Sequence, residues 1–178
     1  MTHLDRVSSL AKWLHIATLF YMVVLPIGIM VSLVLSPVDV ETAQARIVSV
    51  AVSQDATQVQ LWTAVLLQFL PVAVLLWTLN QMRLLFLSYQ RKDVLTDQCA
   101  RLMQRIGFGF LALAIVPFVL IPVQSVLLSW ANPAGQRSLT VSLSTDMLGF
   151  ALAAGLLIVI GWAMRDASDV AAENRAFV

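Results

Sequence analysis

Charge is scarce in this chain. Only 12% of its 178 residues are Asp, Glu, Lys or Arg, about half the usual share of a soluble domain. A net charge of +1 is too small to hold the molecule on a phosphate backbone, which excludes direct nucleic-acid binding through a basic field. Cys99 is the single cysteine, so there is no internal disulfide and no multi-cysteine metal site. The two histidines, His3 and His15, have no neighbouring cysteine or carboxylate at metal-ligand spacing. G-x-S-x-G, H-E-x-x-H, a P-loop and a Gly-rich nucleotide turn are all missing. Asp5, Ser8, Ser9 and His15 read as ordinary residues of an N-terminal segment. The expectation is a non-enzyme with no catalytic residue, metal or cofactor.

What is present is apolar residue. It makes up 60% of the chain, with a mean hydropathy of +0.86. A soluble globule of this size cannot bury that much, so the composition points to the lipid bilayer as solvent. Four uncharged runs of about membrane-spanning length lie at 14–35, 61–82, 106–130 and 147–164. They predict an all-α membrane protein, a single domain over 1–178 built as a four-helix bundle. The first run is longer than a signal-peptide core, and no A-x-A site follows it, so it reads as a retained span.

Lys and Arg orient the spans. Nine of the eleven fall in the N-terminal segment, the 83–105 connection and the 165–178 tail; Arg46 and Arg137 are the others. The positive-inside rule then places both termini and the middle loop in the cytoplasm. The 36–60 and 131–146 connections face the opposite side. Trp13, Trp62, Trp130 and Trp162 lie near span ends, where amphipathic rings prefer the interface. The two outer connections alternate with a period of two, over Arg46–Ser53 and Ser138–Ser144. That pattern predicts a small two-stranded extracytoplasmic β element.

Within the spans, Pro26, Pro71, Pro117 and Pro122 predict kinks. Gln68 and Gln124 are amides in hydrocarbon, where interhelical hydrogen bonds are the expected use. The pairs Gly149/Ala153 and Ala151/Gly155 are spaced for close helix packing within the molecule. On the inner side, Thr96 is placed to cap a helix, with Asp97 in its first turn and paired to Arg101. Arg101, Arg105, Glu173 and Phe177 form the candidate partner-binding face.

The run Ser88-Tyr89-Gln90-Arg91, the Leu95-Thr96 pair, Arg105-Ile106-Gly107 opening a span, and the tail Glu173-Asn174-Arg175-Ala176-Phe177-Val178 resemble the bacterial integral membrane family known as domain of unknown function 2975. Lys92 and Leu95 depart from it, where a glycine and an aromatic are usual. The resemblance covers nearly the whole chain. It implies a four-span protein of the bacterial inner membrane, and a partner that is a cytoplasmic helix-turn-helix regulator or another membrane protein. The functional expectation is a non-enzymatic membrane protein that binds its partner through the inner loop and tail. The alternative is a small transport or channel component, with a polar path at Gln68 and Gln124 between kinked helices.

Overall fold

The computed structural model describes residues 3–36, 38–41, 53, 56–91, 96–133 and 137–176, with side chains between Ser8 and Val170. Five helices account for most of them: α1 (His3–Leu35), α2 (Gln58–Leu67), α3 (Phe69–Gln90), α4 (Asp97–Ser129) and α5 (Thr145–Ala176). With α2 and α3 taken together, the chain carries four helical stretches long and apolar enough to cross a membrane: Ser8–Leu35, Gln58–Gln90, Asp97–Ser129 and Thr145–Val170. This is the layout of a multi-pass membrane protein. Their outward faces stay apolar: Phe20, Val34, Leu66, Leu152 and Leu156 are all more than 60% exposed, as lipid-facing side chains should be.

The helices outrun the apolar runs that predicted them. The 33 residues of α4 extend about 50 Å at 1.5 Å per residue, well beyond a hydrocarbon core of about 30 Å. Its start lies on the basic side of the third apolar run. Thr96 caps it there, accepting from the Cys99 N–H at 3.3 Å, and Asp97 pairs with Arg101 one turn on. At the other end of the molecule α2 opens on a capping interaction, with Gln60 Oε1 accepting from the Thr57 N–H at 2.9 Å.

The helices alternate in direction. Gln90 Nε2 donates to Ala11 O at 3.4 Å, so the end of α3 lies beside the start of α1. Leu85 packs with Cys99, Leu102 and Ile106, joining the end of α3 to the start of α4. Asp97 Oδ1 lies 3.7 Å from Arg165 Nε, joining the start of α4 to the far part of α5. These four segments make one end of the molecule, and it is the end rich in Lys and Arg. The connections carrying Arg46 and Arg137 leave from the other.

Packing runs α1–α3–α4–α5 in chain order, with α2 also touching α4; among the described residues α1 packs on neither α4 nor α5. The expected bundle is therefore an open row. In lipid no hydrophobic force closes such a ring, because hydrocarbon tails are as apolar as the helix faces.

The α4–α5 seam depends on small residues. A Cβ built on Gly161 would meet Gln104 N at 3.1 Å and Ala100 O at 3.2 Å, and one built on Gly107 would meet Ala154 O at 3.1 Å. Ala100 and Ala154 are themselves fully buried. Gly149 and Gly155 face open space, so the pairs Gly149/Ala153 and Ala151/Gly155 are not the packing face. Spacing alone identified small residues on the wrong side of the helix.

The predicted β element needs the larger correction. The described residues contain no strand. Residues 46–52 lie outside them. Ser138–Ser144 is extended, but it has no ladder. Its backbone partners are hydroxyls at the end of α4. Ser125 Oγ donates to Ser138 O at 2.8 Å and accepts from Thr140 N–H at 2.8 Å. Ser129 Oγ accepts from Ser138 N–H at 3.2 Å. The period of two shows in the burial: Leu139, Val141 and Leu143 are exposed, while Thr140, Ser142 and Ser144 are half-buried. An extended segment lying against a membrane helix turns its polar side to the protein.

Candidate functional site

Two regions hold the residues singled out in the sequence. The first is the basic end. Arg101 and Arg105 are exposed on α4, one turn apart. Asp97 pairs with Arg101 and also approaches Arg165 from α5. The start of α4 and the extension of α5 thus form one charged surface beyond the apolar runs. Arg165 was missed as a member. Only the antiparallel packing of α4 on α5 brings it within reach, and no spacing in the chain records that. Glu173 lies on the last turns of α5, and its side chain is outside those described. Phe177 lies outside the described residues.

The second region is intramembrane. Pro71 has no N–H for the Leu67 carbonyl; α2 and α3 meet just before it at Gln68, which keeps a helical backbone (φ −68°, ψ −18°) and an N–H bonded to Ala64 O at 3.3 Å, so the two form one span with a local irregularity. Pro26, Pro117 and Pro122 lie within uninterrupted helices. At the α2–α3 junction a neighbouring helix also bonds to the turn before Pro71. Gln124 of α4 is 2% exposed. Its Nε2 donates to Gln68 Oε1 at 3.1 Å and to Ala64 O at 3.3 Å. The two amides therefore meet, and one of them ties α4 to the α2–α3 span. Together they make a cross-link between helices, as expected for amides in hydrocarbon.

Beside this junction lies a cleft of about 470 Å³, lined by Val24, Leu25 and Ile29 of α1 and by Val65, Gln68, Phe69 and Val72 of the α2–α3 span. Hydropathy had no means of finding it, since its lining looks like any other span surface. A second, smaller hollow of about 210 Å³ between α4 and α5 has only apolar walls, among them Phe118 and Leu143. Among the described residues no three of His, Cys, Asp and Glu come together to hold a metal.

The chain matches no protein-family model, no curated protein and no solved structure. The likeness to domain of unknown function 2975 thus stands on the quoted residues.

Proposed function

We propose that this chain is a non-enzymatic protein of the bacterial inner membrane, with both termini inside, that binds a protein partner at its basic end. The inner loop and tail make that surface. The supporting observation is the charged patch of Arg101, Arg105, Asp97 and Arg165, assembled from two helices and standing beyond the apolar runs. An ion pair this exposed contributes only about 0–1 kcal/mol to stability, so folding alone is a weak reason for such a patch. Exposed arginines are well suited to an acidic segment of a partner, because the guanidinium fork bonds carboxylates in pairs. A cytoplasmic regulator or a membrane protein meets that description, and the family resemblance favours the regulator.

The test is affinity purification from native membranes. Charge reversal at Arg101 and Arg105, or truncation before Glu173, should leave insertion intact and abolish recovery of the partner. If both variants recover it as the unaltered chain does, while Gln68→Leu or Gln124→Leu changes the cellular phenotype, function resides within the spans and the transport reading replaces this one.

A further inference from the structure

We propose that Arg83 of α3 and His15 of α1 form a phosphate site in the seam between these helices, where they bind the headgroup phosphate of a phospholipid in the leaflet at the basic end.

The register of the two helices brings the residues to one place. Gln90 Nε2 donates to Ala11 O at 3.4 Å, and Ser8 Oγ donates to Gln90 O at 3.4 Å. From that contact α1 runs forward and α3 runs back into the membrane. His15 lies four residues on from Ala11, and Arg83 lies seven residues before Gln90. At 1.5 Å per residue the two differ by about 4.5 Å in height. Both face the seam. Ala11, His15 and Thr18 make one stripe of α1, and the positions between them are exposed. The only helix that α1 packs on among the described residues is α3. Arg83 stands about two turns from Gln90 and so shares its face.

Their polar atoms are enclosed and unpaired. Arg83 Nε and His15 Nδ1 are both buried, and among the described residues neither has a hydrogen-bond partner. Thr18 is level with Arg83, but its hydroxyl is turned back onto Leu14 O at 2.7 Å. Among the described side chains of Lys and Arg, Arg83 alone is not exposed. It is also outside the ion pairs that Asp97 makes with Arg101 and Arg165. A buried guanidinium N–H without an acceptor is costly. One oxyanion between the helices satisfies both residues, with the imidazole presenting Nδ1–H to it.

Depth decides which oxyanion. Arg83 is the first charged residue beyond the 61–82 run, and His15 is the second residue of the 14–35 run. Both therefore lie at the edge of the hydrocarbon core, against a headgroup layer about 5–8 Å thick. Phospholipid phosphates are the abundant anions of that layer, and an arginine extends toward it along its apolar stem. Basic pockets between spans hold lipid headgroups by the same means.

The experiment is native mass spectrometry of the purified full chain, released from detergent micelles after titration with dioleoyl phosphatidylglycerol. The unaltered chain should bind a first lipid more tightly than later ones. Arg83→Gln should weaken that first binding by about tenfold or more, the loss of one charge-assisted hydrogen bond. His15→Leu should weaken it by a smaller factor. Arg91→Gln removes an exposed arginine at the same end and should leave it unchanged. Diolein has the same acyl chains and no phosphate, and it should not compete; neither should millimolar inorganic phosphate. Circular dichroism and a monodisperse elution profile confirm that each variant folds. First binding unchanged in Arg83→Gln would overturn the proposal. An equal loss in Arg91→Gln would do the same, because the attraction would belong to the basic end at large. No effect of His15→Leu would break the proposed pair. Displacement by diolein would show that acyl chains alone are bound, and displacement by inorganic phosphate would replace the lipid with a soluble anion.

Discussion

Gln124 shows how one side chain ties two spans together. Its amide is buried between helices and bonds both Gln68 Oε1 and Ala64 O. Gln124→Leu keeps the volume and loses both bonds. It should destabilise the protein by about 0.6–2 kcal/mol, read from unfolding in mixed detergent–SDS micelles. Because Gln68 and Gln124 act on each other, the double leucine variant should cost less than the two single changes summed. A strictly additive cycle would show that the amides are uncoupled. Glycines divide in the same way. Gly161→Leu would push a side chain into the Gln104 and Ala100 backbone, so it should separate α4 from α5 and cost several kcal/mol, as overpacked cores do at about 1–3 kcal/mol or more. Gly155→Leu faces open space and should leave micellar stability unchanged or raised. Their rank order in one unfolding assay checks the seam.

At the scale of elements, the extended Ser138–Ser144 segment is attached to α4 by hydroxyls in place of a partner strand. Each hydrogen bond is worth about 1 kcal/mol net. The Ser125→Ala/Ser129→Ala variant should therefore speed hydrogen exchange at the Ser138 and Thr140 amides by tenfold or more, with α1 and α3 unchanged. If those amides stay protected, another partner holds the segment. The local devices of the elements were legible in the chain. Thr96 capping Cys99, Asp97 with Arg101, and the apolar set Cys99, Leu102 and Ile106 all fall within a turn or two of α4. The β pairing was not legible, because alternation reports an extended backbone and says nothing of what bonds to it. The bond to the turn before Pro71 was not legible either, because its donor, Gln124, lies 53 residues beyond that proline in the chain.

For the molecule as a whole, the alternation of helices gathers the starts of α1 and α4 and the ends of α3 and α5 at one end. In the topology proposed above from the positive-inside rule, that end is the cytoplasmic one. In a Cys99→Ala background, a cysteine at Leu139, a position 68% exposed on the opposite end, should react with an impermeant thiol reagent on intact cells. A cysteine at Arg91 should react only after permeabilisation. The reverse pattern would invert the topology and move the arginine patch outside, which removes the proposed cytoplasmic partner. Ser53 and Ser138 are poorer labelling sites: Ser53 is 4% exposed and the Ser138 side-chain oxygen is buried.

Sequence by itself determined the solvent of this protein, the number of its spans, the end at which its positive charge collects, and the capped start of α4. These are matters of composition and of contacts within one or two turns, and the chain displays both directly. Tertiary structure decided the open row of helices, the choice of Gly107 and Gly161 over Gly149 and Gly155, the union of Arg165 with Asp97, the bond from Gln124 to the α2–α3 span, and the cleft beside it. Each depends on which face of one helix meets another. In spans that are apolar all round, hydropathy does not mark that face. Packing shape and a few polar atoms choose it, across separations that leave no periodic trace.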